Sequence, residues 1–394
     1  MKILHVSASL SPTWGGPVSV ISSLTKSLSK INVECTVLAT KGIRTGFDQI
    51  DLKGVETKVF PNSWLAHLWT GHSPSLADEL LSIVPQYDLV HIHELWHFPH
   101  LAAYRAAIKH KKPYIITVHG SLYEHSLKQK KLQKHFYMKL FQRKTLENAA
   151  ALQAFNDIEK EKIVNLGLRS RTVVIPNGVD VENFDSLPPR FEFERRFTRL
   201  GQKRIVLYLG RIHPSKGLGL LASAFGDIVR NRRDTYLIIA GPRDGNYADQ
   251  LEETLRSAGA LENTIFVGML TGYEKLVALG AADIFVMPSY SEGFSMAVLE
   301  AMASRLPVVI TEGCHFPEVA KSGAGLTVAA KPDELRDAIN YLLDRPGEGA
   351  VMGRLGYKLV SEHYSWAFVA ERMKRLYSQC LTNELTLETK KTYD

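Results

Sequence analysis

The stretch ADIFVMPSYSEGFSMAVLEAMASRLPVVIT, residues 282–311, reads as a single strand–helix–strand unit. ADIFVMP and LPVVIT are short, continuous apolar runs, the pattern of strands buried on both faces of a parallel sheet. Between them Ser295 stands where an N-cap hydroxyl belongs, and Met296, Leu299 and Met302 follow at helical spacing. Glu292 therefore falls in the loop at the carboxyl end of the first strand. Glu300 falls inside the helix, roughly 7 Å further along its axis.

Outward from this unit, the same alternation runs through the whole chain. KILHVSA, CTVLAT, YDLVHIH, PYIITVH and RTVVIP read as buried parallel strands in the first half, and RIVLYLG, TYLIIAG, NTIFVG, ADIFVMP and LPVVIT in the second. Segments 17–30, 217–231 and 332–345 are long enough for crossover helices. The rhythm lapses around IPNGVDVENFDSLPPRF, residues 175–191, where Pro, Asn and Gly accumulate and mark a linker. A chain of 394 residues, 45% hydrophobic, is also too long for one ordinary core. The expected fold class is α/β, with two Rossmann-like doubly wound parallel-sheet domains facing across a cleft that holds the site. The expected domains are 1–176 and 177–365, with a final helix over 366–381 and a flexible tail, 382–394.

Composition narrows the class further. The N-terminal run MKILHVSASL is broken by serines too early for a signal sequence, and no stretch reaches the roughly 18 apolar residues of a membrane span. The three cysteines are scattered and lack metal-ligand spacing, which favours a reducing, cytoplasmic compartment. The net charge of +7 is uneven: residues 1–176 hold 22 Lys and Arg against 13 Asp and Glu, whereas residues 177–394 hold 26 against 28. The basic first half points to an anionic partner. No nucleic-acid-binding motif accompanies it, so no nucleic-acid partner is expected. Residues 128–144, KQKKLQKHFYMKLFQRK, carry much of the excess and place Leu132, Phe136, Tyr137, Leu140 and Phe141 on one half of a helix. This segment reads equally as a helix packed on its domain with solvated lysines and as a peripheral contact with an anionic membrane surface. SWLAHLW, 63–69, reads equally as an apolar wedge beside it or as core.

The two acids of the opening stretch can now be weighed. Backbone N–H groups of Gly293, Phe294 and Ser295, together with the helix dipole, form an anion site with a carboxylate on either side. A carboxylate accepts two hydrogen bonds and so suits the vicinal hydroxyls of a sugar. The order sugar, diphosphate, ribose follows, with Glu292 on a hexose and Glu300 on the ribose. The spacing alone fits better a solvated helix glutamate and an N-terminal acid complementing the dipole. LYLGRIHPSKGL, 207–218, adds context: it ends a strand at Gly210 and opens a helix near Gly217, leaving Arg211 and Lys216 on the connecting loop. Both cations can converge on a diphosphate and replace a divalent ion. No metal is expected: His91, His93 and His97 in HIHELWH lack a convincing fourth ligand, and strand alternation explains their spacing.

GRIHPSKGL followed some 75 residues later by EGFSMAVLEAMASRLPVV resembles the retaining GT-B glycosyltransferases of family 4, also called glycosyl transferases group 1. SPTWGGPVSV, VHG at 118–120, IPNGVD at 175–180 and HFPEVAKSGAGLTV at 315–328 also resemble that family's pattern, within it most nearly bacterial exopolysaccharide, capsule and O-antigen enzymes. The resemblance implies that Arg211 and Lys216 bind the donor diphosphate, Glu292 the transferred sugar and Glu300 the ribose. It implies that Gly15 and Gly16 form a first glycine loop and that His119 lines the active site near the transferred sugar. Backbone around VGML, 267–270, with Met269, would meet the base. Ser295 departs from the Gly of many relatives but leaves its N–H available. The resemblance further implies retention of configuration by a front-face route and a hexose donor linked to UDP or GDP. The acceptor would be a saccharide or lipid-linked glycan. A glycan hydrolase and a noncatalytic sugar-nucleotide-binding protein are the competing readings; turnover of a labelled donor separates them.

Overall fold

The computed structural model describes residues 1–11, 14, 16–41, 52, 54–122, 134, 136–168, 170–197, 200–201, 203–243 and 245–382, less the side chains of Lys139 and Leu140. Gly15, Lys128, Lys130, Lys131, Leu132 and the expected tail from residue 383 onward lie outside these. The chain forms two compact units, 1–178 with 366–394, and 179–365.

The first unit is built on a seven-stranded sheet. Its strands are β1 Lys2–Ser7, β2 Glu34–Thr40, β3 Glu56–Phe60, β4 Leu89–His93, β5 Tyr114–Thr117, β6 Ala151–Ala154 and β7 Thr172–Val174. Their order is β3-β2-β1-β4-β5-β6-β7, and every neighbouring pair is parallel. Every residue of β4 is buried, as a central strand covered by helices on both faces requires. The helix Trp366–Thr382 supplies part of that cover: Trp366, Val369, Met373 and Tyr377 share a core with Ile3, Leu89 and Ile115.

The second unit repeats the plan with β8 Arg204–Leu209, β9 Thr235–Ala240, β10 Thr264–Gly268, β11 Ile284–Met287, β12 Val308–Thr311 and β13 Gly325–Val328. The order is β10-β9-β8-β11-β12-β13, again all parallel. In both sheets the first three strands run outward one way and the next strand starts back on the other side, so the order reverses between β1 and β4 and between β8 and β11. Loops leaving the carboxyl ends at such a reversal diverge and open a crevice.

Three strands went unread in the sequence, for three reasons. β3, ETKVF, is an edge strand whose charged residues lie half in solvent, so it shows no apolar run. β6, ALQA, consists of helix-favouring residues, and only its place between β5 and β7 makes it a strand. β13, GLTV, pairs tightly with β12 because Gly325 has no side chain: a Cβ there would overlap the carbonyl of Val308. The segment 175–191 is also not a free linker. The chain leaves the first unit after Gly178, two residues beyond the expected Pro176. Val179 then pairs with Ser365, and Val181 and Phe184 are buried in the core of the second unit.

Candidate functional site

In the second unit, the loops after β8 and β11 flank the reversal and carry the residues singled out from sequence. The β8 loop runs from Gly210, whose N–H donates to Ala240 O, through exposed Arg211 to a single turn, Pro214–Lys216. Gly217 then takes φ 66° and opens the helix Leu218–Asn231. No other residue type fits there, because a Cβ would overlap the carbonyl oxygen of Pro288 on the facing loop. The two loops are tied further by the Tyr290 N–H, which donates to Ser215 O at 3.0 Å.

This close approach delivers Lys216 to Glu292. Lys216 Nζ donates to Glu292 Oε1 at 2.6 Å, and Ser289 Oγ donates to the same oxygen at 2.6 Å. The pair is largely buried, at 18% and 8% side-chain exposure, so water screens it little. Glu292 Oε2 has no hydrogen-bond partner among the described residues. The backbone of Glu292 is fixed by its N–H to Gly313 O at 2.8 Å.

Ser295 caps the helix Met296–Ala303, its Oγ accepting from the Val298 N–H. The Phe294 ring packs with Phe316 and Tyr364, so Phe294 can offer a ligand only its backbone. Glu300 projects from the second turn of this helix and holds Lys275 Nζ at 2.6 Å through Oε1, leaving Oε2 without a partner among the described residues. Each acid is thus clamped by a lysine through one oxygen and open through the other. Lys275 belongs to the helix Gly272–Ala281 and carries no local signal; Ser289 was likewise missed. Met269 follows β10, the outermost strand of this sheet, and is 59% exposed. Cys314 lies beneath the loop, where burial, with Glu292 nearby, pushes its thiol up to about 12.

In the first unit, the reversal lies between β1 and β4, and its loops are joined by Trp14. The indole N–H donates to both carboxylate oxygens of Glu94, at 2.9 Å each. Burial pushes the Glu94 carboxyl up to about 7, while the Trp14 hydrogen bond opposes the shift. Glu94 and Trp96 adopt φ 72° and 75°, left-handed conformations that cost a side-chain-bearing residue free energy. Gly16 begins the helix Gly16–Lys30 beside Trp14.

His119 follows β5 with φ 52°. Its turn is held by buried Glu159, which accepts from the Gly120 N–H at 2.6 Å and the Phe155 N–H at 2.7 Å. Burial raises Glu159 to about 7 against those two bonds. His119 Nε2 lies 3.2 Å from His93 Nδ1, and burial lowers its imidazole to about 3.

The histidines of β4 alternate as a strand should: His91 and His93 share a face, and His5 sits opposite His91 in register. His5, His91 and His93 bring ligand atoms within 4.8 Å of one another, whereas the His97 ring meets Trp14 and His100 edge-on instead. His91 is committed on both nitrogens. Thr117 Oγ1 donates to Gln153, so it must accept from His91 Nε2–H at 2.6 Å; His91 Nδ1 then accepts from Tyr377 OH at 2.8 Å. His91 and His93 also stack at 4.1 Å with 28° between their planes, so their in-plane lone pairs run side by side.

Tyr137 and Phe141, from the basic segment, line a cavity of about 450 Å³ with Trp69, Trp96, His97 and Lys134. Lys134 Nζ lies 5.5 Å over the Trp96 ring. From SWLAHLW, Trp69 packs inward against Phe98 while Trp64 and Leu68 are exposed.

Both units thus carry a parallel sheet in Rossmann order, and the second adds a capped helix start and two lysine-clamped acids at its reversal. Residues 190–359 match the family described as glycosyl transferases group 1, and residues 14–183 match glycosyltransferase family 4. The chain is 29% identical over 306 residues to a phosphatidyl-myo-inositol mannosyltransferase of Mycobacterium leprae, covering 75% of each chain. It is 24% identical over 393 residues to the GDP-mannose:cellobiosyl-diphosphopolyprenol alpha-mannosyltransferase of Komagataeibacter xylinus, covering 98% of this chain and 95% of the relative. Among solved structures, HepE of Anabaena, in complex with UDP and glucose, superposes with a TM-score of 0.77 at 19% identity, covering 96% of this chain and all of that one. The chain belongs to the GT-B glycosyltransferases of family 4.

Proposed function

We propose that this protein transfers a hexose from a UDP- or GDP-linked donor to a hydroxyl of a saccharide or lipid-linked glycan, with retention of configuration, in the synthesis of a cell-surface polysaccharide. The observation that carries the reading is the pair of lysine-clamped acids, Lys216–Glu292 and Lys275–Glu300, flanking the Ser295-capped helix. Glu292 Oε2 would take hydroxyls of the transferred hexose and Glu300 Oε2 the ribose. Arg211, Lys216 and the N–H groups of Gly293, Phe294 and Ser295 would hold the diphosphate. With that cationic surround, no divalent ion is needed, and none is part of the proposal.

In this reaction the bond from the anomeric carbon to the diphosphate oxygen breaks. The acceptor oxygen bonds to the same face, and the acceptor proton passes to the departing phosphate. The chain contributes position and charge stabilisation rather than a nucleophile. The donor classes follow the relatives: the Komagataeibacter enzyme is named for GDP-mannose and the Anabaena structure holds UDP and glucose. For the acceptor, the aromatic cavity of Trp69, Trp96, Tyr137 and Phe141 offers flat apolar walls suited to the C–H faces of a sugar. Among the described residues no helix is long and apolar enough to cross a membrane. The proposed contact with an anionic membrane through 128–144 rests on sequence. A labelled-hexose transfer assay in EDTA tests the reaction. Transfer to a glycan acceptor supports it; release of free sugar to water alone, or activity that returns only with Mg²⁺ or Mn²⁺, contradicts it.

A further inference from the structure

Three imidazoles form a line through the first unit. His5 Nδ1 lies 2.9 Å from His93 Nε2, and His93 Nδ1 lies 3.2 Å from His119 Nε2. His5 and His93 are buried, and the far end of the line, His5 Nε2, is buried with no hydrogen-bond partner among the described residues. Burial keeps all three rings neutral at ordinary pH, so each has one N–H to place.

Only two arrangements make both hydrogen bonds. If His93 carries its proton on Nδ1, His5 donates to His93 and His93 donates to His119, which leaves a bare lone pair at His5 Nε2. If His93 carries it on Nε2, every bond reverses and His5 Nε2 becomes a buried N–H with nothing to accept it. An orphaned buried donor is the rarer and costlier defect, whereas an unfilled acceptor lone pair is tolerated more often. We infer that His5 and His93 are positioning residues that lock His119 in its Nδ1–H tautomer, so that His119 presents a fixed hydrogen-bond donor, not a proton acceptor, to an oxygen of the bound sugar.

The strand register makes the device possible. β1 and β4 are adjacent in the sheet, with His5 opposite His91, and β5 ends at Thr117 opposite His93, two residues before His119. His91 takes no part in the line, because its one N–H goes to Thr117 and its other nitrogen accepts from Tyr377. The role assigned to the N–H rests on the reading of His119 as lining the place of the transferred sugar. The tautomer itself does not.

Two measurements separate those layers. In ¹⁵N-histidine-labelled protein without donor, long-range ¹H–¹⁵N correlation should show His119 with a protonated Nδ1 and a bare Nε2. A protonated Nε2 overturns the inference whatever the enzyme does. In transfer assays with UDP- and GDP-hexoses, His93→Phe fills the space but cannot donate, whereas His93→Gln can donate its amide N–H to His119 Nε2. The inference expects kcat to fall about ten-fold or more in His93→Phe, with partial recovery in His93→Gln and nucleoside diphosphate affinity unchanged in both. The opposite order, with His93→Phe active and His93→Gln impaired, means that His93 only fills space and overturns the positioning role. A correct tautomer together with a fully active His119→Ala removes His119 from the sugar site and overturns the donor role, leaving the array as structure alone.

Discussion

Lowering the pH should destabilise the first unit, because its buried histidines take up protons on unfolding. His5, His91, His93 and His100 are each at most 1% exposed and are held neutral, their imidazoles lowered by burial and, beyond His5, by neighbouring imidazoles; His5 falls to about 3. In the unfolded chain they take up a proton near 6.5, so their share of stability is complete above that pH and is lost as pH falls toward the folded value. At pH 5.5 His5 alone costs between about 1 and 2 kcal/mol, and His91, His93 and His100 act in the same direction. Glu94 and Glu159 work the other way. Their folded carboxyls titrate near 7, above the usual carboxylate range, so the fold gains stability as pH falls from about 7 to about 4.5, by roughly 1–2 kcal/mol each at pH 5.5. The imidazoles outnumber the carboxyls and continue to act after the carboxyls have levelled out. The net effect is a loss of stability that grows as pH falls from 7.5 to 4.5. Hydrogen exchange read by mass spectrometry, corrected for the intrinsic pH dependence, resolves this by strand. Protection in β1 and β4 should fall progressively over that range. Unchanged opening free energies in β1 and β4 between pH 7.5 and 4.5 would refute the neutral burial of this cluster.

Glu94→Gln removes a buried ionisation while its amide oxygen still accepts from Trp14, so the variant should match wild type in urea unfolding at pH 4.5 and exceed it by about 2–3 kcal/mol at pH 8.5; an equal difference at both pH values contradicts the raised carboxyl. Gly217→Ala must relieve a positive φ and an overlap with the Pro288 carbonyl, and should cost the second unit at least about 2 kcal/mol in denaturant unfolding. A variant as stable as wild type would mean that the two loops are not in close contact. Lys275→Met keeps the apolar stem but leaves Glu300 unanchored, and should weaken nucleoside diphosphate binding roughly ten-fold in calorimetry, with little change in unfolding. Unaltered affinity would remove Lys275 from the site.

What the sequence disclosed divides by range. Strands central to a sheet, such as YDLVHIH and ADIFVMP, announce themselves as apolar runs because both of their faces are covered. β3, β6 and β13 do not, since an edge position, neighbours on either side and a missing Cβ respectively define them. The acids and cations of the second unit were legible because each sits beside a strand end or helix cap that local pattern reveals. Their partners were not. Lys216 reaches Glu292 across 76 positions, Lys275 reaches Glu300 across 25, and Trp14 reaches Glu94 across 80, distances that only strand order closes. Strand alternation accounts for His91 and His93, but the third member of their cluster, His5, lies on β1, and His97 lies beyond the strand at the start of a helix.

The central claim is that the crevice at β8 and β11 holds a nucleotide sugar with the ribose on Glu300 and the hexose on Glu292. The direct measurement is calorimetric titration of UDP and GDP into wild type, Glu300→Ala and Glu292→Gln. Wild type should bind at least one of the two. Glu300→Ala should lose about ten-fold or more in affinity, and Glu292→Gln should bind the sugar-free nucleotide about as wild type does, having lost only its hold on the hexose. Full affinity in Glu300→Ala would contradict the assignment.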